Sequence, residues 1–256
     1  PGNVDRAHDH DDLRFEHFMA GAGGASEGLA MAENGEPIGK SFERAIEGMA
    51  DQRGGNTQFG ALLVLAPLVA TAREGDLTPE RATKVVESTT VADAAGFYRA
   101  FEYVDVAVSE PPDGMDALDV RRGADAIPSL EAQELTLYDV LARSTERDGI
   151  AREWISGFPR SFAAADRIES GEGSVPDRAA RAYLELLAEE PDTFVTTTHD
   201  EATAQEICEA ARAARRGETS ADALADRLVE DGINPGTTAA LTAAGLVIAL
   251  EGGLPV

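Results

Sequence analysis

Along most of this chain, apolar side chains recur every three or four residues, the period of helices buried on one face. Such stripes run over residues 13–31, 39–52, 79–88, 91–106, 135–141, 150–169, 176–188, 202–215 and 221–229. Two segments, 58–73 and 239–250, are apolar all round, as helices enclosed by protein are. Local punctuation agrees. Thr78-Pro79 is a cap followed by proline at the first helical position, Thr90 with Asp93 can form a capping box, and Ser220 is a further cap. Gly157-Phe158-Pro159 interrupts one stripe, and 109–114, with two prolines and a glycine, is a loop. The β-branched runs 103–108 and 193–198 are short and lack an evident strand partner. The pattern therefore predicts an all-α protein, a single multi-helix domain over 1–256 with two buried apolar helices near its centre.

Polar, glycine-bearing turns lead into both apolar helices. Gly54-Gly55-Asn56-Thr57-Gln58-Phe59-Gly60 opens the first, and Gly232-Ile233-Asn234-Pro235-Gly236-Thr237-Thr238 opens the second. The first N–H groups of a helix have no partner inside it and carry the positive end of the helix dipole, so such a start suits an anion, above all a phosphate. The plainer reading is a capped helix, with Asn56 or Thr57 as the cap. If the two turns lie side by side, they form one polar pocket over an apolar base.

Composition narrows the classes of partner. Forty-seven Asp and Glu stand against 22 Lys and Arg, a formal charge of −25, and only Lys40 and Lys84 are lysines. No basic patch is available for nucleic acid. An acidic, lysine-poor surface is that of a protein adapted to high salt, where screening lowers the cost of self-repulsion. No apolar run is long enough to span a bilayer and no signal peptide is evident, so a cytoplasmic location is expected. The single cysteine, Cys208, lies in a helical stripe and reads as a small buried apolar residue. The sequence starts at Pro1, with no initial Met, and the family resemblance described below implies a helix before it that is missing here.

Two polar clusters interrupt the helical pattern. Asp5, Arg6, His8, Asp9, His10, Asp11 and Asp12 offer oxygen ligands at short spacing, as Mg²⁺ prefers, and the histidines could equally take a transition metal. A solvated acidic loop is the alternative. Asp116 and Asp119 are three apart and would share a helix face near Arg122, a set able to hold a metal–triphosphate. The alternative there is a helix start with acidic residues favourable to its dipole. Trp154 reads as core, and His199-Asp200 as the cap of the next helix.

Several of these stretches, in this order, resemble the triphosphoribosyl-dephospho-CoA synthase family: Pro1-Gly2-Asn3-Val4-Asp5, His10-x-Asp12-Leu13, Gly-x-Asn56-Thr57-x-x-Gly60 and Asn234-Pro235-Gly236-Thr237-Thr238, with Pro191-Asp192-Thr193-Phe194-Val195 a weaker fifth. The resemblance implies a transferase that moves the triphosphoribosyl group of ATP to a dephospho-CoA-type acceptor and releases adenine, with Mg²⁺ accompanying ATP. Taken with the two polar clusters, it points to His10, Asp12 and Asp116 for catalysis. Asn3, Asn56, Thr57, Arg122, Asn234 and Thr237 would contact substrate, and Asp5, Asp12 and Asp119 the metal. The chain departs from the family pattern at Gln58-Phe59, where His-Lys is usual, and at Ala240, where an aspartate is usual. After Val195 a basic pair and glycine give way to Thr197, His199 and Asp200. The Gln-Phe form resembles an archaeal branch, which keeps open a nucleotide- or pterin-linked transferase of one-carbon carrier synthesis. A helical protein that binds nucleotide without catalysis is the third reading.

Overall fold

The computed structural model describes residues 2–5, 8–10, 13–73, 75–111 and 114–255. Asp12, with Arg6 and Asp11 of the same cluster, lies outside the described residues. Fourteen α-helices and no strand occur among those described. They are α1 (Phe15–Glu33), α2 (Ile38–Met49), α3 (Phe59–Ala72), α4 (Pro79–Glu87), α5 (Val91–Ala100), α6 (Ile127–Ala132), α7 (Leu137–Ala142), α8 (Gly149–Ser156), α9 (Pro159–Ser170), α10 (Val175–Glu189), α11 (Thr193–Thr198), α12 (Glu201–Arg215), α13 (Ala221–Glu230) and α14 (Gly236–Glu251). The expected all-α class is the observed one.

The two all-round apolar segments are α3 and α14, and both are buried. They touch each other, and α8, α9, α10 and α11 pack around α14. On the other side of α3, α1 crosses α2 at near backbone contact. A Cβ on Gly24 would stand 2.0 Å from the Gly48 carbonyl oxygen, so only glycine fits there. Phe42, Phe59, Phe97 and Phe101 meet where α2, α3 and α5 converge, edge-on or tilted except for the stacked pair Phe42–Phe97, with Phe59–Phe101 centroids 4.8 Å apart. Trp154 of α8 is fully buried and donates its indole N–H to the Leu63 carbonyl of α3 at 3.0 Å. A second apolar cluster, centred on Leu187, Ile207 and Leu228, joins α10, α12 and α13.

Most helix boundaries follow their caps. Thr90 and Asp93 form the expected box, and Ser220 accepts the Ala223 N–H. Three segments differ from the sequence expectation. The helix from Val91 ends at Ala100, because Glu102 turns aside to accept the Ala124 N–H at 2.8 Å and a β-branched, proline-bearing stretch follows. The β-branched run 193–198 is the helix α11, started by the Asp192 carboxylate. Asp116 and Asp119 do not share a helix face. Asp116–Leu118 is a single 3₁₀ turn, and Asp119 is extended (φ −60°, ψ 121°), capping a second 3₁₀ turn by accepting the Arg121 N–H.

Candidate functional site

Four helix starts, those of α3, α8, α11 and α14, open onto one cavity of about 640 Å³. That is within the range of small-molecule sites. Its polar rim includes Asn56, Thr57, Asp148, Thr193, Asn234 and Thr237. Its walls are apolar, from Leu13 and Phe18 on one side to Phe97, Phe101 and Val106 on another.

At the α3 start, Asn56 Oδ1 accepts the Phe59 N–H at 3.0 Å. The N–H groups of Gly60 and Ala61 have no acceptor among the described residues, as expected of a helix start held ready for a ligand. Gly60 contributes no side chain to shield them. A Cβ there would face Ala240 and Ile150 across the cavity at 3.8 Å. Gln58 does not reach outward. It donates to the Phe18 carbonyl at 3.1 Å and ties this turn to α1.

The α14 start is built from a distance. Asp192, 3% exposed, accepts the Phe194 and Val195 N–H groups with Oδ1, at 2.9 and 3.1 Å. Its Oδ2 accepts both the N–H and the hydroxyl of Thr238 at 2.7 Å. One carboxylate thus caps α11 and fixes α14 beside it. Burial pushes this carboxyl above its ordinary range, opposed by the donors from Thr238, Val195 and Phe194. All four partners donate, so the ionised form is the one this geometry satisfies. Thr193 Oγ1 accepts the Gly149 N–H at 2.9 Å and lies 3.0 Å from Thr237 Oγ1, which locks α8, α11 and α14 together. A Cβ on Gly149 would stand 2.8 Å from Thr237 Cγ2, so glycine permits that approach. With capping done by Asp192, Asn234 Oδ1 is left buried without a hydrogen-bond partner. A buried polar oxygen without a partner is uncommon and marks a place for a donor.

Asp148 caps α8. Its Oδ1 accepts the Ile150 N–H at 2.7 Å and the Ala151 N–H at 3.3 Å. Oδ2 has no partner among the described residues. Protein crowds Asp148 on most sides, yet its surface stays open to the cavity. That partial desolvation raises its carboxyl above the usual range, against the pull of the two backbone donors and Arg152. Arg147 is the other charged residue in the lining, its guanidinium steered by a bond to the Glu110 carbonyl at 3.1 Å.

A smaller cavity of about 130 Å³ adjoins the first, and Arg147 and Asp148 line both. Tyr98, Ser109, Glu110, Asp119 and Arg143 also line it. Tyr98 donates to the Leu118 carbonyl at 2.6 Å, and burial pushes its phenol up to about 12. Arg121 holds both Glu110 and Asp119 in ion pairs at 2.8 and 2.6 Å, which keeps both carboxyls below their ordinary range.

Of the residues singled out in the sequence, Asn3, His10, Asn56, Thr57, Asn234 and Thr237 line the large cavity. His10 Nε2 donates to the Gly2 carbonyl at 2.8 Å, so the neutral ring presents Nδ1 as its lone-pair nitrogen. Asn3 donates to the Pro235 carbonyl and to the Tyr183 hydroxyl, each at 3.4 Å, which fastens the N-terminal segment to the α14 start. Asp5 lies outside both linings and accepts from His8. Asp119 lines only the smaller cavity, and Asp116 and Arg122 line neither. Asp5 and Asp119 thus belong to separate clusters, and no group of three metal-binding side chains occurs among the described residues. Arg147, Asp148 and Asp192 are the residues that helical periodicity passes over. Asp148 and Asp192 each stand one position before a helix and carry the signature of an N-cap.

Comparison with known proteins bears on the fold and the family of the chain. A crystal structure of a proposed triphosphoribosyl-dephospho-CoA synthase from Archaeoglobus fulgidus superposes with a TM-score of 0.77 at 27% identity, over 93% of this chain and 100% of that one. Among proteins with curated descriptions, none matches. The model of the CitG family, ATP:dephospho-CoA triphosphoribosyl transferase, matches residues 1–254, so the chain belongs to that family.

Proposed function

We propose that this protein is a transferase moving the triphosphoribosyl group of ATP to the ribose 2′-hydroxyl of a dephospho-CoA-type acceptor. The observation that carries this reading is the convergence of helix starts with uncommitted N–H donors on one amphipathic cavity. The Gly60, Ala61 and Thr237 N–H groups suit phosphate oxygens, and the apolar walls suit a nucleobase or the acceptor's aliphatic arm. In the reaction, the acceptor oxygen bonds to C1′ as the C1′–N9 bond breaks; the acceptor hydroxyl gives up one proton, the departing adenine takes another, and the two groups that handle them exchange protons with solvent between turnovers. His10 Nδ1 is the group we assign to take the hydroxyl proton, and Asp148 Oδ2 the one to supply a proton to the leaving base. A carboxylate at this position also stabilises the positive charge that develops at C1′. Fixing the triphosphate holds C1′ in line for attack.

Magnesium would arrive on the ATP phosphates. Asp5 pairs with His8 and Asp119 with Arg121, and the proton transfers assigned to His10 and Asp148 need no metal of the protein's own. We also propose that the acidic surface adapts the protein to a saline cytoplasm. No helix among the described residues is long and apolar enough to cross a membrane. The melting temperature should then rise from dilute buffer to molar KCl, and a flat or falling value would contradict this. The test of function is chromatographic detection of free adenine. Adenine should appear from ATP when dephospho-CoA is added and stay at background without it. No release under any KCl concentration that keeps the protein folded would overturn the reading.

A further inference from the structure

Around the smaller cavity acidic and basic side chains balance, unlike in the molecule as a whole. Three carboxylates and two guanidinium groups line it, and a third guanidinium, Arg121, pairs with two of the carboxylates, Glu110 and Asp119. Asp148 spends its Oδ1 on the Ile150 and Ala151 N–H groups. Arg143 and Arg147 make no ion pair within 4 Å among the described residues, although the Asp139 carboxylate senses Arg143. A chain of net charge −25 therefore keeps two cations outside any ion pair beside a cavity that opens into the candidate active site. Arg147 is also pre-aimed. One N–H goes to the Glu110 carbonyl, leaving the rest of its fork for a ligand. Ser109 and Ser144 line the same cavity and add hydroxyl donors.

We infer that this side chamber is a phosphoryl subsite, in which Arg147 and Arg143 grip a phosphoryl group of a ligand whose remainder lies in the large cavity. It supplies from residues 143 and 147 the cations that Gln58 and Phe59 do not supply at the α3 start. The inference rests on the nucleotide reading of the large cavity for the ligand's identity, but the subsite itself rests on charge and geometry. The phosphoryl group belongs either to the triphosphate of ATP or to the pyrophosphate of the acceptor. Both offer the arrangement of oxygens that a guanidinium fork binds.

Calorimetric titration of the full chain tests this, at the lowest KCl concentration that keeps it folded. The probes are ATP, adenosine, dephospho-CoA and inorganic tripolyphosphate, against wild type, Arg147→Gln, Arg143→Gln and Arg147→Lys, with helical content checked by circular dichroism. The exposed side chains at 143 and 147 make folding of these variants the expected result. Each Gln variant should weaken ATP and tripolyphosphate by about tenfold or more while adenosine is unchanged, and Arg147→Lys should recover only part of the loss. Weakening of dephospho-CoA with ATP unaffected would keep the subsite and assign it to the acceptor. Tripolyphosphate binding that depends on Arg147 in a protein that takes no nucleotide would sink the proposed function and leave the subsite standing. Affinities for ATP, dephospho-CoA and tripolyphosphate all within about twofold of wild type in folded variants would overturn the inference.

Discussion

The starts of α3 and α14 look alike in sequence, each an Asn- and Gly-bearing turn before an apolar helix, yet they are wired differently. At α3 the local asparagine does the capping, and Asn56 Oδ1 is spent on the Phe59 N–H. At α14 the carboxylate of Asp192, 46 positions earlier, takes the Thr238 N–H and hydroxyl, and Asn234 Oδ1 is left buried without a partner. One asparagine therefore spends its side-chain oxygen on the fold while lining the cavity. The other contributes no hydrogen bond from its side-chain oxygen to the fold. What this teaches is that similar motifs divide stability and binding differently, and that the division is set by a residue outside the motif.

The largest effect should come from breaking the remote cap. Asp192→Ala leaves three N–H groups and a hydroxyl without their acceptor and should destabilise the protein by about 3 kcal/mol or more. Denaturant unfolding measures this, and hydrogen exchange should show the Thr238 amide opening while Phe59 stays protected. Equal loosening at both helix starts would erase the distinction between them. Asn56→Ala should do the opposite on a smaller scale. It should cost about 1 kcal/mol as a lost cap, with the Phe59 amide exchanging faster and Thr238 unchanged. Its ATP affinity should also fall, and a variant that binds ATP normally once folded would reduce Asn56 to a cap alone.

The smallest effect concerns the tether on the α14 side. His8 bonds Asp5 and Asp226 of α13, and those carboxylates raise its pKa above the ordinary value near 6.5. A raised histidine contributes stability that is fully present below the unfolded value and is lost as pH rises through the folded one. The N-terminal segment, which carries Asn3 onto the Pro235 carbonyl, should therefore loosen as pH climbs from about 6 through the region above 6.5. NMR titration of His8, with amide exchange at residues 2–5, reads this. Loosening that runs the other way with pH would contradict it. The α3 start, which has no link to His8, should not respond.

The helices were legible because their signals are local. Thr78-Pro79, Thr90 with Asp93, and Ser220 each announce a start within four residues. The all-round apolar character of α3 and α14 announces enclosure without any knowledge of their neighbours. The cavity was legible in part, because Asn56 and Asn234 interrupt apolar patterns visibly. Asp192 was not legible as the organiser of α14, since its partner Thr238 is remote and a cap for α11 alone would explain it. Asp116 and Asp119 misled for the converse reason. Their spacing of three suits an α-helix, but the chain there folds as 3₁₀ turns around the Arg121 ion pairs, which no periodicity encodes. Arg147 and Asp148 precede their helix and lie outside the apolar stripe, which begins at Ile150.

Asn234→Ala is the sharpest probe of the division between scaffold and site, through paired thermal melts and ATP titrations on the same samples. The substitution removes a buried oxygen that has no partner in the fold, so the melting temperature should hold or rise. ATP affinity should fall by about tenfold or more, because a donor on the ligand loses its acceptor. A lowered melting temperature with unchanged ATP affinity would show Asn234 to be part of the scaffold and would contradict that division.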